Sequence, residues 1–197
     1  MAGLWSKPRA KWLLGIPLGG FVAFGVGMVA LGTTNFVVHE TSTNEFCYSC
    51  HSIELNVKPE YEASSHFSNT SGVRASCADC HLPHDSWFEL MWAKTGRTFE
   101  VVPEMMGKIS TPEKFEAHRA DMAESVWQRY RDTDSQYCRS CHAFGAMDLA
   151  SQERRAARRH SQAQEKGQTC AQCHYGIVHK LPENAEAIID KIFTEGE

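Results

Sequence analysis

Cys47-Tyr48-Ser49-Cys50-His51 is the first of four segments with one pattern. Cys77-Ala78-Asp79-Cys80-His81, Cys138-Arg139-Ser140-Cys141-His142 and Cys170-Ala171-Gln172-Cys173-His174 repeat it, and together they use all eight cysteines. Two cysteines three positions apart can bond the two vinyl groups of one porphyrin, and the adjoining histidine can reach its iron. Zinc sites also use Cys-x-x-Cys pairs, but zinc requires no histidine after every pair. A disulfide scaffold leaves the repeated histidine unexplained. The pattern therefore predicts four covalently bound haems c, with His51, His81, His142 and His174 as the first iron ligands.

Residues 12–38, WLLGIPLGGFVAFGVGMVALGTTNFVV, form an uncharged run of 27. A helix of about 20 apolar residues crosses a bilayer core, so this run predicts a transmembrane helix with some tilt. It exceeds the apolar core of about 7–15 residues in a secretory signal, and no clear Ala-x-Ala site separates it from Cys47, so an uncleaved anchor is expected. Lys7, Arg9 and Lys11 precede the run, whereas Glu40 and Glu45 follow it. That asymmetry predicts a single-pass protein with its N-terminus cytoplasmic and its haem domain on the outer side of the membrane. The 197-residue chain has a formal net charge of −4: residues 1–38 hold +3, and the rest hold 17 basic against 24 acidic residues, or −7. An acidic haem domain lacks the basic footprint that nucleic acid demands.

The first cysteines of the four motifs lie 30, 61 and 32 positions apart. Two pairs separated by a long insert read as an internal duplication. The expected fold is a multihaem cytochrome c, with one N-terminal transmembrane helix and a mainly helical or irregular periplasmic domain of two duplicated dihaem modules. The boundaries read as 1–11 cytoplasmic, 12–38 anchor, 39–110 first dihaem module and connector, and 111–197 second dihaem module. Histidines repeat as well: His66 and His84 accompany the first pair, His160 and His179 the second. These four are expected as distal iron ligands, although spacing does not reveal which serves which haem. His84 and His179 stand so close to His81 and His174 that each more readily reaches a neighbouring haem than the far face of its own. Ligation across the modules would make them fold as one unit.

His39 and His118 lie outside this repeat. His39 is expected at the membrane interface, and His118 as a packed, hydrogen-bonded histidine on a helix over 112–131, capped by Thr111, with Phe115, Met122, Val126 and Tyr130 as its apolar stripe. A second helix is expected over 87–97, opened by a Ser86/Glu89 capping box. Its Trp87, Phe88 and Trp92 suit either core packing or a membrane interface. Lys94 in that helix is a candidate for a quinol head group. Arg154, Arg155, Arg158 and Arg159 read as a solvated helix face, and Asn184 as the cap of a packed helix with Ile188, Ile189, Ile192 and Phe193.

Irons closed by two nitrogen ligands favour one-electron exchange. Anchored at a bilayer, four such centres suit the division of a quinol's two electrons into single steps, with Glu54, Asp85 and Glu89 as candidate proton acceptors. Entry at the first haem is expected, because Cys47 lies nine residues beyond Val38.

The anchor, the four motifs and the runs EFCYSCHS, HFSNTSGVRASCADCHLPH, STPEKFEAHRADMAE, DSQYCRSCH and TCAQCHYGIVHKLP resemble the NapC/NirT family of membrane-anchored tetrahaem quinol dehydrogenases. The resemblance implies a protein of the bacterial inner membrane with a periplasmic haem domain, oxidation of menaquinol or ubiquinol, and delivery of electrons to a periplasmic reductase or other redox protein; a homo-oligomer and a hetero-complex both stay open. It also implies distal ligands at His66, His84, His160 and His179. Many family members carry methionine two residues after the first motif histidine, where this chain has Ile53, and a basic residue in the helix near Lys94. The same conduit run in reverse, from a hydroxylamine-oxidising partner into quinone, and direct reduction of a small molecule at an open haem are the alternatives.

Overall fold

The computed structural model describes residues 12–13 and 16–194, which divide after Thr41 into two compact units. The expected cytoplasmic residues 1–11 lie outside the described residues. In the first unit, β1 (Trp12–Leu13) pairs antiparallel with β2 (Ile16–Pro17) and leads into α1 (Leu18–Glu40). The helix thus begins six residues later than the apolar run predicts and ends two residues later. Pro17 is the reason: it offers no N–H to a helix ladder, and at φ −58°, ψ 137° it caps α1 from the extended region. An 18-residue stretch of the 23-residue α1 has a mean hydropathy of 1.8, and the helix buries no side chain. At about 1.5 Å per residue the helix is about 35 Å long, against a hydrocarbon core of about 30 Å. Its apolar residues run around the whole circumference, the pattern of a membrane span rather than of a surface helix. Asn35 Nδ2 donates to Leu31 O at 3.0 Å, which satisfies that amide within the helix, as lipid demands.

The second unit is built of short helices and irregular connections: α2 (Asn44–Tyr48), a π-helical turn (Ile53–Val57), α3 (Lys58–Glu62), α4 (Cys77–His81), α5 (Trp87–Arg97), a 3-10 turn (Thr98–Val101) and α6 (Val102–Met105). Then come α7 (Pro112–Asp132), α8 (Gln136–Arg139), α9 (Arg154–Glu165) and α10 (Ala185–Thr194). Among its described residues there is no strand.

The longest of these helices, α7, forms where the sequence predicts it. Pro112 occupies the first turn, and the Thr111 hydroxyl accepts from Lys114 N at 3.3 Å. Its buried face differs from the predicted stripe: Phe115, Arg119 and Trp127 are buried, a charged residue among them. The helix α5 also forms, but Ser86 makes no side-chain cap bond, so the expected Ser86/Glu89 capping box is absent. A true capping box opens α4, where Ser76 N donates to Asp79 Oδ2 at 2.6 Å and Asp79 N to Ser76 Oγ at 3.2 Å. Asp at the third position was the cue to it, since a carboxylate can return the bond just as Glu does.

The apolar core lies between α7 and α10. Trp127 packs with Ala185, Ile188, Ile189 and Ile192, and Tyr175 meets the Trp127 ring edge-on at 5.7 Å. The isoleucines recur at helical spacing, so one face of α10 is wholly apolar. Arg131 Nη1 donates to Ile192 O at 3.1 Å, and Lys191 Nζ lies 2.9 Å from Glu124 Oε1, so polar contacts flank the seam. Ile192 is 2% exposed. Ile192→Ala should therefore cost about 2–5 kcal/mol, read as a lower denaturant midpoint for the haem-loaded protein.

Candidate functional site

Positions i, i+3 and i+4 of a helical turn share one side, so a turn carries the two thiols and the imidazole of a motif together. Such turns open all four motifs. The first begins in α2, where Thr43 Oγ1 accepts from Phe46 N at 3.2 Å. The second is α4 itself, the third begins in α8, and a 3-10 turn (Cys170–Gln172) opens the fourth.

Neighbouring motifs are joined by related contacts in the two halves. Asn44, three residues before Cys47, accepts from Cys77 N through Oδ1 at 2.9 Å. Ser135, three residues before Cys138, accepts from Ala171 N through Oγ at 3.1 Å and also contacts the Thr169 hydroxyl. Ser135 is fully buried and holds φ 51°, next to Asp134 at φ 47°. This left-handed pair, costly for residues with a side chain, is fastened by Arg139, which donates through Nε to Asp134 O at 2.8 Å and through Nη2 to Asp134 Oδ1 at 2.9 Å.

The thiols form a series. Cys47 and Cys77 lie near enough to shift each other, the former down to about 7 and the latter up. Cys138 and Cys170 do the same, Cys170 going down to about 6 and Cys138 up. Between these pairs, Cys80 is raised by burial and then by the charges of Asp79 and Cys141, and Cys80 in turn raises Cys138. The helices α4 and α8 pack together there, and Tyr130 Oη donates to Cys80 O at 2.8 Å from α7. First motif touches second, second faces third, and third touches fourth.

Three pairs of imidazoles face each other. His66 and His142 have ring centroids 6.2 Å apart, His81 and His179 6.4 Å, and His160 and His174 6.0 Å. With metal–imidazole bonds of about 2.0–2.1 Å and a ring nitrogen about 1.1 Å from its centroid, two trans ligands on one metal have centroids about 6.3 Å apart. The observed pairs fit a haem iron between them. Each contains one motif histidine, and two of the three cross from residues 39–110 to residues 111–197. Burial pushes His81 down to about 4, with the charges of His179, Arg97 and Arg129 adding to the effect. His174 is lowered by burial and then by His160 and His142. A neutral imidazole is the form that ligates metal.

The histidines opposite the motif residues differ in what holds their other nitrogen. His160 Nδ1 is 2.7 Å from Gln152 Oε1, while His66 Nδ1 and His179 Nδ1 are buried with no hydrogen-bond partner among the described residues, the latter 3.5 Å from Glu60 Oε2. Glu60 is itself held firmly. Arg119, 6% exposed, donates through Nη2 to Glu60 Oε1 at 2.7 Å and through Nη1 to Oε2 at 3.2 Å, while Lys180 N donates to Oε2 at 3.1 Å. Arg119 also binds both oxygens of Glu116, at 2.7 and 2.9 Å. Burial opposes ionisation of Glu60, but the nearby His179 ring and the bonds from Arg119 and the Lys180 amide outweigh it and lower its pKa.

The remaining candidates sit elsewhere. His51 and His84 face no imidazole among the described residues; His84 Nε2 lies 3.3 Å from Asp79 O. Lys94, half-buried in the last turn of α5, lies within electrostatic reach of Cys47: burial lowers its own pKa, and its charge lowers that of Cys47. Glu54, Asp85 and Glu89 are exposed. His118 is exposed rather than packed, with Nδ1 donating to Lys114 O at 2.9 Å, and His39 is exposed at the end of α1, 3.3 Å from Glu40. The four arginines on α9 are exposed, as a solvated face should be. Sequence reasoning missed Glu60, Arg119 and Glu104. Glu104 Oε1 accepts from Ser52 N at 3.3 Å, beside His51, while its buried Oε2 has no partner among the described residues. Glu104 has Glu100 and Lys108 four positions to either side, and that local spacing gives no signal of a contact 52 residues away; an Arg in the middle of an amphipathic helix gives a faint one.

Residues 9–184 match the model of the NapC/NirT cytochrome c family, N-terminal region. The chain is 44% identical over 182 residues to the cytochrome c-type protein NapC of Escherichia coli, covering 92% of this chain and 90% of that one. It is 43% identical over 181 residues to the denitrification system component NirT of Stutzerimonas stutzeri, covering 91% and 88%. It is 50% identical over 159 residues to the cytochrome c-type protein TorY of Haemophilus influenzae, covering 81% of this chain but only 43% of that longer protein. No solved structure matches.

Arg119→Ala would strand the buried Glu60 carboxylate and should cost about 3–5 kcal/mol. Glu116→Gln removes a carboxylate that is 40% exposed and should cost about 1 kcal/mol or less. Denaturant unfolding of the two haem-loaded variants checks the difference.

Proposed function

The chain belongs to the NapC/NirT cytochrome c family, and from that membership we propose that it is a membrane-anchored tetrahaem cytochrome that oxidises membrane quinol and passes the electrons to a periplasmic oxidoreductase. Its eight cysteines attach four haems c. Bound haem supplies a one-electron carrier at each motif. The observation that carries the reading is the continuous series of motifs: Asn44 before the first motif on Cys77 of the second, α4 of the second against α8 of the third, and Ser135 before the third on Ala171 of the fourth. A terminal reductase would need only one open centre; a series of four closed or nearly closed ones suits conduction.

The two duplicated dihaem modules are residues 39–110 and 111–197, supported by the parallel roles of Asn44 and Ser135. The distal ligands are His179 for the second haem, His66 for the third and His160 for the fourth, supported by the centroid separations. The first haem stands apart. Ile53 carries no ligating atom, and His84, which lies against Asp79, is the fourth distal candidate and the one available to close that haem. The excess of cations before residue 12 supports a cytoplasmic N-terminus and a periplasmic haem domain.

Quinol oxidation releases two electrons and two protons. Lys94, a cation near the first attachment thiol, suits a quinol oxygen that gains negative charge as its proton leaves. Glu54, Asp85 and Glu89 are the exposed carboxylates available to take protons, and Glu104 is a buried one beside His51. Menaquinol and ubiquinol fit these groups equally.

In lipid vesicles, the purified protein should be reduced rapidly by a menaquinol or ubiquinol analogue, and absence of reduction by both overturns the proposal. Lys94→Gln should slow quinol-driven reduction about tenfold or more while leaving reduction by dithionite unchanged. His66→Ala and His160→Ala should each convert one low-spin haem into a high-spin one, counted by electron paramagnetic resonance.

A further inference from the structure

We propose that Glu60 is a positioning residue for the second haem: its carboxylate, 3.5 Å from Nδ1 of His179, orients that ring and makes His179 a stronger electron donor than the other two facing imidazoles. The inference rests on the reading of His179 as an iron ligand.

The three facing histidines are distinguished by what lies beyond them. His160 has a neutral amide oxygen at Nδ1, whereas the buried Nδ1 atoms of His66 and His179 make no hydrogen bond among the described residues. Only His179 of these two has a carboxylate beside that nitrogen, Glu60 Oε2 at 3.5 Å, close enough for charge to act on the ring. The same oxygen takes the amide of Lys180, the next residue, so the main chain and side chain at this point share one anchor. The two-pronged grip of buried Arg119 fixes the carboxylate in turn. A ligating histidine is oriented and made more basic by a carboxylate on its other ring nitrogen. A more basic axial imidazole stabilises the oxidised iron and lowers its reduction potential. Glu60 lies before residue 110, and Arg119 and His179 after it, so one residue of the first half sets the ligand that the second half offers to His81.

The test uses the full-length, haem-loaded protein in detergent, with a potentiometric titration and electron paramagnetic resonance. His179→Ala should turn one low-spin haem high-spin; if every haem stays low-spin, the ligand reading fails whatever Glu60 does. Glu60→Gln should keep the low-spin count and shift the potential of one haem upward. Glu116→Gln, which removes another carboxylate from Arg119 without touching His179, should leave all potentials in place. Where Glu60→Gln does not accumulate, Glu60→Asp, shorter by one carbon, should shift the same haem upward by less. Unchanged potentials in the Glu60 variant, alongside loss of a low-spin haem in His179→Ala, overturn the proposal and leave the ligation standing. Equal shifts in the Glu60 and Glu116 variants overturn it too, because they assign the effect to Arg119 alone.

Discussion

Two imidazoles from the first half of the haem domain meet two from the second, His66 with His142 and His81 with His179. Neither half can complete those pairs alone. The requirement explains why the strongest polar contacts also cross the divide. Arg119 on α7 grips Glu60 on α3, Tyr130 on α7 reaches Cys80 on α4, and Lys180 returns to Glu60. A long helix that touches both halves is the economical way to hold them in register, and α7 does so, with α10 closing its far side through Trp127 and the isoleucines.

The node at Glu60 is costly in isolation. Burying a carboxylate and a guanidinium removes both from water, and their attraction offsets that loss only when every donor and acceptor is matched. Here Arg119 contacts two carboxylates and the Lys180 carbonyl, while Glu60 accepts from Arg119 and the Lys180 amide and lies beside His179. A hydrophobic pair would hold the halves together as well. It would not present a negative oxygen to an imidazole, and that difference makes the node a matter of function as well as of packing.

Function follows from the order in which the motifs touch. The family's quinol chemistry needs a place where electrons arrive in pairs and leave singly, and a series of one-electron centres tethered to a membrane helix provides it. The first motif differs from the others on every count. Its histidine faces no imidazole among the described residues, Ile53 cannot ligate, the following turn is π-helical, and the cation of Lys94 is near its thiol. Irregular turns of this kind are frequent at functional sites.

The sequence by itself determined the cofactors, the anchor and the family, because each depends on covalent chemistry or composition over a short stretch: eight cysteines in four motifs, an uncharged run, a set of repeated histidines. It also located α5, α7 and α10, whose apolar spacing is local. It misjudged the start of α1, where Pro17 ends the helix in the N-terminal direction, and the opening of α5, where Ser86 makes no cap bond. It could not pair the histidines, because His66 and His142 are 76 positions apart in sequence and spacing carries no trace of that meeting. Glu60 was invisible for the same reason: a half-buried glutamate reads like any surface one until Arg119 and His179 are folded against it. Only tertiary structure decides which distant groups share a dry space, and in that space a carboxylate acquires partners and a role that its neighbours along the chain do not supply.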